Sequence, residues 1–461
     1  MSDVTNKTGE RMKKIILSAA VAAMAFSTSA VAADKGIDIV TTGQAVVYYQ
    51  TSDSNKAANK SSLASSDNSS ANVGLQLNLA ADLQNNFTFG SQLTYVGGAG
   101  LDRTVVDANM QTNTQSANTT DNIALTKIFV AKKIANTTFK LGRQELPKSL
   151  SPLAFTEGWN VFKNTFDAIL AINSDIPKTT LVGAYVTSTT NSDDLTTVGD
   201  MTAKSNLNDV TGAGNNDMAI DGNAYMITAQ NTALPMTTVT ASYYSIKNVT
   251  SGVNNNDMSA NAMWLNVAVA DKSLPMGLKM GLQAGNLDPK VESSATAAAL
   301  VGLGDSVSDT NAFGLKASIV PMPALTLTGI YTSVDGGENN EVNLQVRNVG
   351  GVKSPMYSQM VGNQTQISLA NDTLVLKGSY NMGDMGSVTL AYGMTDDTSY
   401  NAAGTADDYN ELDLVYKVKS GGVSYLAAYV NQDFKGLNTA VNATDSNYTN
   451  HIVRLWARLN F

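Results

Sequence analysis

Apolar and polar residues alternate one by one along much of this sequence, and that period of two restricts the fold more than any other feature. In ANVGLQLNLA, Val73, Leu75, Leu77 and Leu79 share one parity, while Gly74, Gln76 and Asn78 share the other. NFTFGSQLTY sets Phe87, Phe89, Leu93 and Tyr95 against Thr88, Gly90, Gln92 and Thr94. GLKMGLQAG, AFGLKASIV and TLVLKGSYN repeat the pattern with Met280 and Leu282, Phe313 and Leu315, and Leu374 and Leu376. Side chains on a strand point alternately to its two faces, so these segments are strands with one apolar and one polar face. Taken singly, each also fits a soluble sandwich that hides its apolar face between two sheets.

The connections separate the two folds. Short ones (82–86, 134–137, 173–178, 231–236, 272–276, 320–323, 381–386 and 420–422) alternate with long ones. The long ones run near 51–70, 97–121, 146–161, 189–221, 247–258, 287–308, 334–371, 395–408 and 431–449, and are rich in Asn, Asp, Ser, Thr and Gly. Four short turns carry proline, at Pro177, Pro235, Pro275 and Pro321, where a residue that cannot donate to a ladder punctuates strand ends. Strands of about ten residues, short turns at one end and long loops at the other are the pattern of an all-β transmembrane antiparallel barrel. The count is eighteen, with short periplasmic turns and long extracellular loops. Tyr95, Tyr185, Tyr243 and Tyr331 near the long loops, and Tyr380, Tyr416 and Tyr425 near the short turns, fit two interfacial belts.

In lipid every backbone polar group must be paired, so the sheet must close on itself. The last stretch, HIVRLWARLNF, is therefore expected to pair with a first strand near 37–50. Its outward set is Val453, Leu455, Ala457, Leu459 and Phe461. Phe461 is expected to serve as the signal read by the outer-membrane assembly machinery.

Residues 1–32 lie outside the predicted barrel, which spans 33–461. From Met12 two lysines precede an apolar run, Ile15 to Phe26, that ends at Ala30-Val31-Ala32, the pattern of a cleaved secretory signal; residues 1–11 read as an upstream extension. With no cysteine and one histidine, the chain offers no disulfide, no thiol nucleophile and no multi-histidine zinc site. A net charge of −9 argues against nucleic acid as a partner. His451 is expected to be an interfacial polar residue, and no serine accompanies it on its strand, so no enzyme is predicted.

The stretch 141–186 resembles the major outer membrane porins of Campylobacter and relatives, a branch related to the OprD-type porins. The resemblance lies in Gly142-Arg143-Gln144, in Asn164-Thr165-Phe166-Asp167-Ala168, and in the Pro177 turn running into Leu181-Val182-Gly183-Ala184-Tyr185. It implies an eighteen-stranded, homotrimeric porin of the bacterial outer membrane whose third long loop narrows the pore. Calcium occurs in some relatives. Here the loop acids Asp193, Asp194, Asp200, Asp217 and Asp221 are scattered and form no calcium-loop motif. No cofactor is otherwise expected, and no metal ligand is assigned.

Charge on the lipid face costs about 2–4 kcal/mol at the midplane for Arg or Lys, so charged residues are expected to face the lumen. Lys140, Lys279, Lys316, Lys377, Lys417, Arg454 and Arg458 fall on polar faces, as do Asp167, Glu411 and Asp413. The bases lie nearer the short turns and the carboxylates nearer the long loops. That predicts an acidic mouth above a basic lower lumen, an arrangement that orients dipolar solutes. LPKSLSPLAFTEGWN (146–160) differs from the other long loops in carrying Leu146, Leu150, Leu153, Phe155 and Trp159. Such an apolar loop must pack against something. We expect it to fold into the lumen and form the constriction with Arg143, Lys148, Glu157 and Asp167; the alternative is a latch on a neighbouring subunit. The function expected is passive diffusion of small hydrophilic solutes and ions across an outer-membrane lipid bilayer. The alternative is an adhesin or structural protein acting through its long loops.

Overall fold

The computed structural model describes residues 37–55, 62–98, 105–111, 122–190, 195, 198–199, 201–204, 217–220, 224–251, 254–291, 306–336, 341–368, 370–397, 408–436 and 447–461. The predicted signal segment, residues 1–32, lies outside these residues.

Eighteen antiparallel strands form a closed wall. They are β1 (Ile39–Ser54), β2 (Ser69–Asp82), β3 (Phe87–Gly97), β4 (Asn122–Ile134), β5 (Thr137–Gln144), β6 (Phe166–Asn173), β7 (Thr179–Thr190), β8 (Ala224–Asn231) and β9 (Thr237–Ser251). They continue as β10 (Asn254–Ala270), β11 (Lys279–Val291), β12 (Thr310–Met322), β13 (Leu325–Gly336), β14 (Asn371–Asn381), β15 (Ser387–Asp397), β16 (Asp408–Ser420), β17 (Val423–Lys435) and β18 (Tyr448–Asn460). Each pairs with its sequence neighbour, and β18 pairs with β1 from Gln44↔Asn460 to Ser54↔Asn450. Beyond that register Gly43 N–H donates to Phe461 O at 2.6 Å and Phe461 N–H to Gly43 O at 3.0 Å. The Phe461 ring lies where a Cβ on Gly43 would stand, so the aromatic covers the seam at this glycine.

The outer face is the apolar one. Leu75, Leu77 and Leu79 on β2, Leu141 on β5, Ile227 on β8, Met263 on β10 and Leu376 on β14 are all exposed. Their neighbours of opposite parity, Gln76, Lys140, Thr228, Trp264 and Val375, are buried on the inner side. Of the predicted belt tyrosines, Tyr243, Tyr331, Tyr380, Tyr416 and Tyr425 are exposed. His451 is also on this parity, with Nδ1 2.8 Å from the Tyr429 hydroxyl and its ring stacked on that tyrosine. The proline turns put Lys178, Met236 and Met276 at positive φ directly after proline, a conformation that costs a side-chain-bearing residue about 1–2 kcal/mol.

A barrel that shows its apolar face to lipid must build any buried core inside the lumen. Two long loops do so: L3, residues 145–165 between β5 and β6, and L7, residues 337–370 between β13 and β14. Leu146, Leu150 and Leu153 of L3 and Val346, Met356 and Ile367 of L7 share one cluster with Leu170, Val182 and Trp264 of the wall. Val161 and Phe162, further along L3, pack on Val46, Tyr48 and Val96 of β1 and β3. L3 therefore crosses the lumen from one wall to the other and packs inside its own barrel. Burial of each large apolar side chain contributes about 1.5–3 kcal/mol, so the crossing is firmly anchored. A short strand in the loop between β11 and β12, Ser306–Val307, adds a tie by pairing in parallel with Glu341–Val342 of L7.

Candidate pore constriction

L3 and L7 meet in the lumen in a hydrogen-bonded clasp centred on Asn348. Its amide oxygen accepts from Phe155 N–H at 2.8 Å, and its amide nitrogen donates to Phe155 O at 2.7 Å and to Glu157 Oε1 at 2.8 Å. Glu157 is 4% exposed. Its carboxylate also accepts from Lys353 N–H and from the Trp159 indole, each at 2.7 Å. Val349 N–H donates to Leu153 O at 3.0 Å, Asn164 donates to Gly350 O at 2.6 Å, and the Lys148 ammonium reaches Ser354 O at 3.3 Å. The backbones approach so closely that a Cβ on Gly351 would stand 2.3 Å from Glu157 Oε1. A charged hydrogen-bond acceptor with three donors is well compensated in a site with little water.

Wall residues hold L7 from below and from the side. Gln283 accepts from Tyr357 N–H at 2.9 Å and donates to Pro355 O at 3.1 Å, and the Tyr357 hydroxyl donates to Asn266 at 2.5 Å. On β16, Glu411 accepts from Gly362 N–H at 2.8 Å and Asp413 from Val361 N–H at 3.1 Å. Lys353 donates to Val361 O at 2.5 Å on the same turn. Burial, reinforced by Arg454, pushes the Lys353 ammonium down to about 8. The expected acidic mouth is corrected here: Glu411 and Asp413 do face inward, but they are 0% and 5% exposed, and each gives one oxygen to L7 while Gln432 and Tyr409 hold the other oxygen of Glu411.

The inward bases divide into two groups. Lys279, Lys377 and Lys417 are exposed on the inner parity, and Lys316 is half-buried with its ammonium 4.3 Å from the Tyr357 ring centroid. Arg454 donates through Nε and Nη2 to Gln50 at 3.0 and 2.9 Å, and its guanidinium lies 5.6 Å from the Trp159 ring centroid. Arg458 bridges the wall to L3, donating to Gln44 at 2.9 Å and to Asn160 O at 2.8 Å. Lys140 faces inward but is 4% exposed and lies against the Phe129 ring. It is packing, not pore lining. Beneath L3 a cavity of about 510 Å³ is bordered by Gln76, Gln92, Lys127, Glu145, Lys163 and Arg458. Lys127 and Lys163 both pair with Glu145.

Of the four residues expected at the constriction, Lys148 and Glu157 belong to the clasp, whereas Arg143 and Asp167 do not. They form a two-pronged ion pair, at 2.8 and 3.0 Å, on the outer parity shared by Leu141 and Ile169. Arg143↔Asp167 are register partners, as are Leu141↔Ile169. Both charges sit at strand ends beside the long loop, where the cost of a charge facing lipid falls to about 0–1 kcal/mol. The midplane penalty that argued for inward placement does not apply there.

The residues missed by the sequence reading are those of L7: Asn348, Gly351, Lys353 and Tyr357. A signal was available. Residues 343–368 contain no Asp or Glu, unlike the other long loops, and carry Leu344, Val346, Val349, Met356 and Ile367. Among the described residues no group of three or more acidic or imidazole side chains is placed to hold a metal; Asp193, Asp194, Asp200 and Asp221 lie outside them.

The profile of the Campylobacter major outer membrane protein family matches residues 11–273, more than half of the chain. This chain belongs to that family. No curated protein sequence matches it. Among solved structures it is similar to Pseudomonas aeruginosa OccK8 (OprE), with 13% identity, a TM-score of 0.64, and 93% of this chain and 99% of that one covered. P. aeruginosa OccK9 (OpdG) aligns at 14% identity and TM-score 0.65, covering 92% and 99%. P. aeruginosa OpdK, solved with vanillate, aligns at 11% identity and TM-score 0.64, covering 91% and 99%. At these identities the likeness is one of fold. This member of the Campylobacter family is an outer-membrane porin, a channel for small solutes.

Proposed function

We propose that the channel conducts by passive diffusion, that the L3–L7 clasp is its eyelet, and that it works as a homotrimer without catalytic activity. The observation that carries this reading is the clasp itself. Two loops nearly two hundred residues apart are locked together across the lumen by Asn348 and Glu157. A structure acting only through surface loops has no need to narrow its own interior. The space left beneath L3 is lined by amides and by Lys127, Lys163 and Arg458 against one carboxylate, Glu145. Such a wall offers more hydrogen-bond donors than acceptors, which suits small polar solutes carrying carboxylate or hydroxyl oxygens. A metal at the eyelet is not part of the proposal.

The test is to replace residues 149–158 with a short glycine linker and record single channels in planar bilayers. Removing the L3 half of the clasp is expected to raise conductance severalfold. Unchanged conductance, with loss of the trimer on a native gel, would place the eyelet elsewhere and make L3 an assembly element.

A further inference from the structure

Lys279, Lys316 and Lys377 lie on the inner wall of β11, β12 and β14, on the short-turn side of L7 and apart from the clasp. The register places Lys279 beside Ser318, Ser318 beside Thr328, and Thr328 beside Lys377. Two lysines thus flank two hydroxyls in one row across four strands. Strands are spaced by about 4.8 Å, so the outer pair stand about 14 Å apart at the backbone, a gap that two four-carbon stems close over the row between them. Lys316, two residues along β12 from Ser318, adds a third ammonium on the same face, steadied by the Tyr357 ring. The Lys316 ammonium lies in the field of both Lys377 and Lys279. Among the described residues none of the three has an ion-pair partner. Asp413, two strands beyond Lys377 in the same row, is turned toward Val361 N–H. The Ser318 and Thr328 hydroxyls, 2.8 Å apart, bond to each other through one proton, and among the described residues the other proton has no acceptor.

We propose that these five side chains form a docking site for phosphate-bearing solutes, a subsite that rests on the channel reading above. Three like charges brought together without a counter-charge repel one another, and the anion that relieves this best carries two charges rather than one. A phosphate monoester brings about two negative charges at neutral pH and three acceptor oxygens, and meets three ammoniums and a free hydroxyl proton. A monocarboxylate has two oxygens and leaves the cluster with two charges in excess. Lysine acts on phosphate as a point charge with rotatable donors, so no fixed fork geometry is needed. Solutes that pass the L7 side of the eyelet meet this row on the way to the periplasm.

The experiment measures ionic current through the full-length porin in about 0.1 M KCl, where the field of a charge reaches only about 10 Å. Methyl phosphate and acetate are added in turn. Methyl phosphate is expected to half-block at a concentration about tenfold below acetate, and the Lys279→Gln/Lys316→Gln/Lys377→Gln variant to lose about tenfold of that block, the scale of losing one or two charge-assisted hydrogen bonds. Equal block by the two anions in the unmodified porin overturns the site, as does unchanged methyl phosphate block in the variant. If the triple variant does not reach the heat-modifiable barrel form, Lys377→Gln alone, an exposed side chain, is expected to weaken the block about threefold; no change overturns the site equally. Absence of any conductance in the unmodified protein would instead refute the channel reading on which the site rests.

Discussion

Replacing Asn348 by alanine tests the clasp at its centre. The side chain is 0% exposed, so no solvent stands ready to replace it. Its loss strips partners from Phe155 N–H and Phe155 O, and takes one of three donors from Glu157. A buried backbone group left without a partner costs about 1–3 kcal/mol. Two such groups, partly relieved by water entering from the lumen, give a net loosening of about 3 kcal/mol. That shifts the ratio of clasped to unclasped L7 by about two orders of magnitude. The barrel wall makes none of these bonds, so its formation should be unaffected. Single-channel records should then show larger, flickering currents, with heat-modifiable migration on gels unchanged. Hydrogen exchange should accelerate in 343–368 and not in β12–β14. Asn348→Asp should loosen the clasp further, because it sets a second carboxylate against Glu157. If Asn348→Ala gives quiet currents of unchanged size and unaltered exchange in L7, the two loops do not depend on this joint and the argument from its hydrogen bonds fails.

Two further outcomes are expected. Deleting Phe461 removes both backbone bonds to Gly43 and the ring that covers it, so export should persist while the heat-modifiable form is lost; normal outer-membrane levels of the deletion would contradict this. Arg143→Gln should leave the reversal potential unchanged, because the residue is on the outer wall, yet lower the thermal stability of the barrel by unpairing Asp167; a selectivity shift would return Arg143 to the lumen.

Most of the wall was legible in the sequence because lipid enforces strict alternation. β2, β3, β11, β12, β14 and β18 showed their apolar parity in the sequence, and the Pro177, Pro235 and Pro275 turns fell where the strands end. L3 was legible for a related reason: Leu146, Leu150 and Leu153 in a water-facing loop demanded a surface to pack on. The error at Asp167 arose where that packing occurs. On β6 the inner parity is Phe166, Ala168, Leu170 and Ile172, apolar because L3 covers it, while Ile169 is apolar because lipid covers it. With both faces apolar, alternation no longer tells inside from outside. L7 escaped for a different reason. Its apolar residues follow no period, since a loop that threads a lumen is shaped by individual contacts such as Gly281 making room for the Tyr357 hydroxyl. Parity found Glu411 and Asp413 on the correct face, but parity carries no information about what a lumen-facing carboxylate will bind.

The seam between β1 and β18 also sets an order of events. Gln44 and Asn460, which share a side-chain hydrogen bond across it, are 416 residues apart in the chain. The other barrel strands pair with neighbours in sequence and can zip as hairpins on the microsecond scale typical of such elements. The seam alone joins the first strand made to the eighteenth. Until it forms, the sheet has two raw edges, each a row of unpaired N–H and C=O groups that another chain can capture. The time between synthesis of β1 and arrival of β18 is therefore the interval in which this protein is most exposed to aggregation, and escort through the periplasm must shield those edges until they meet.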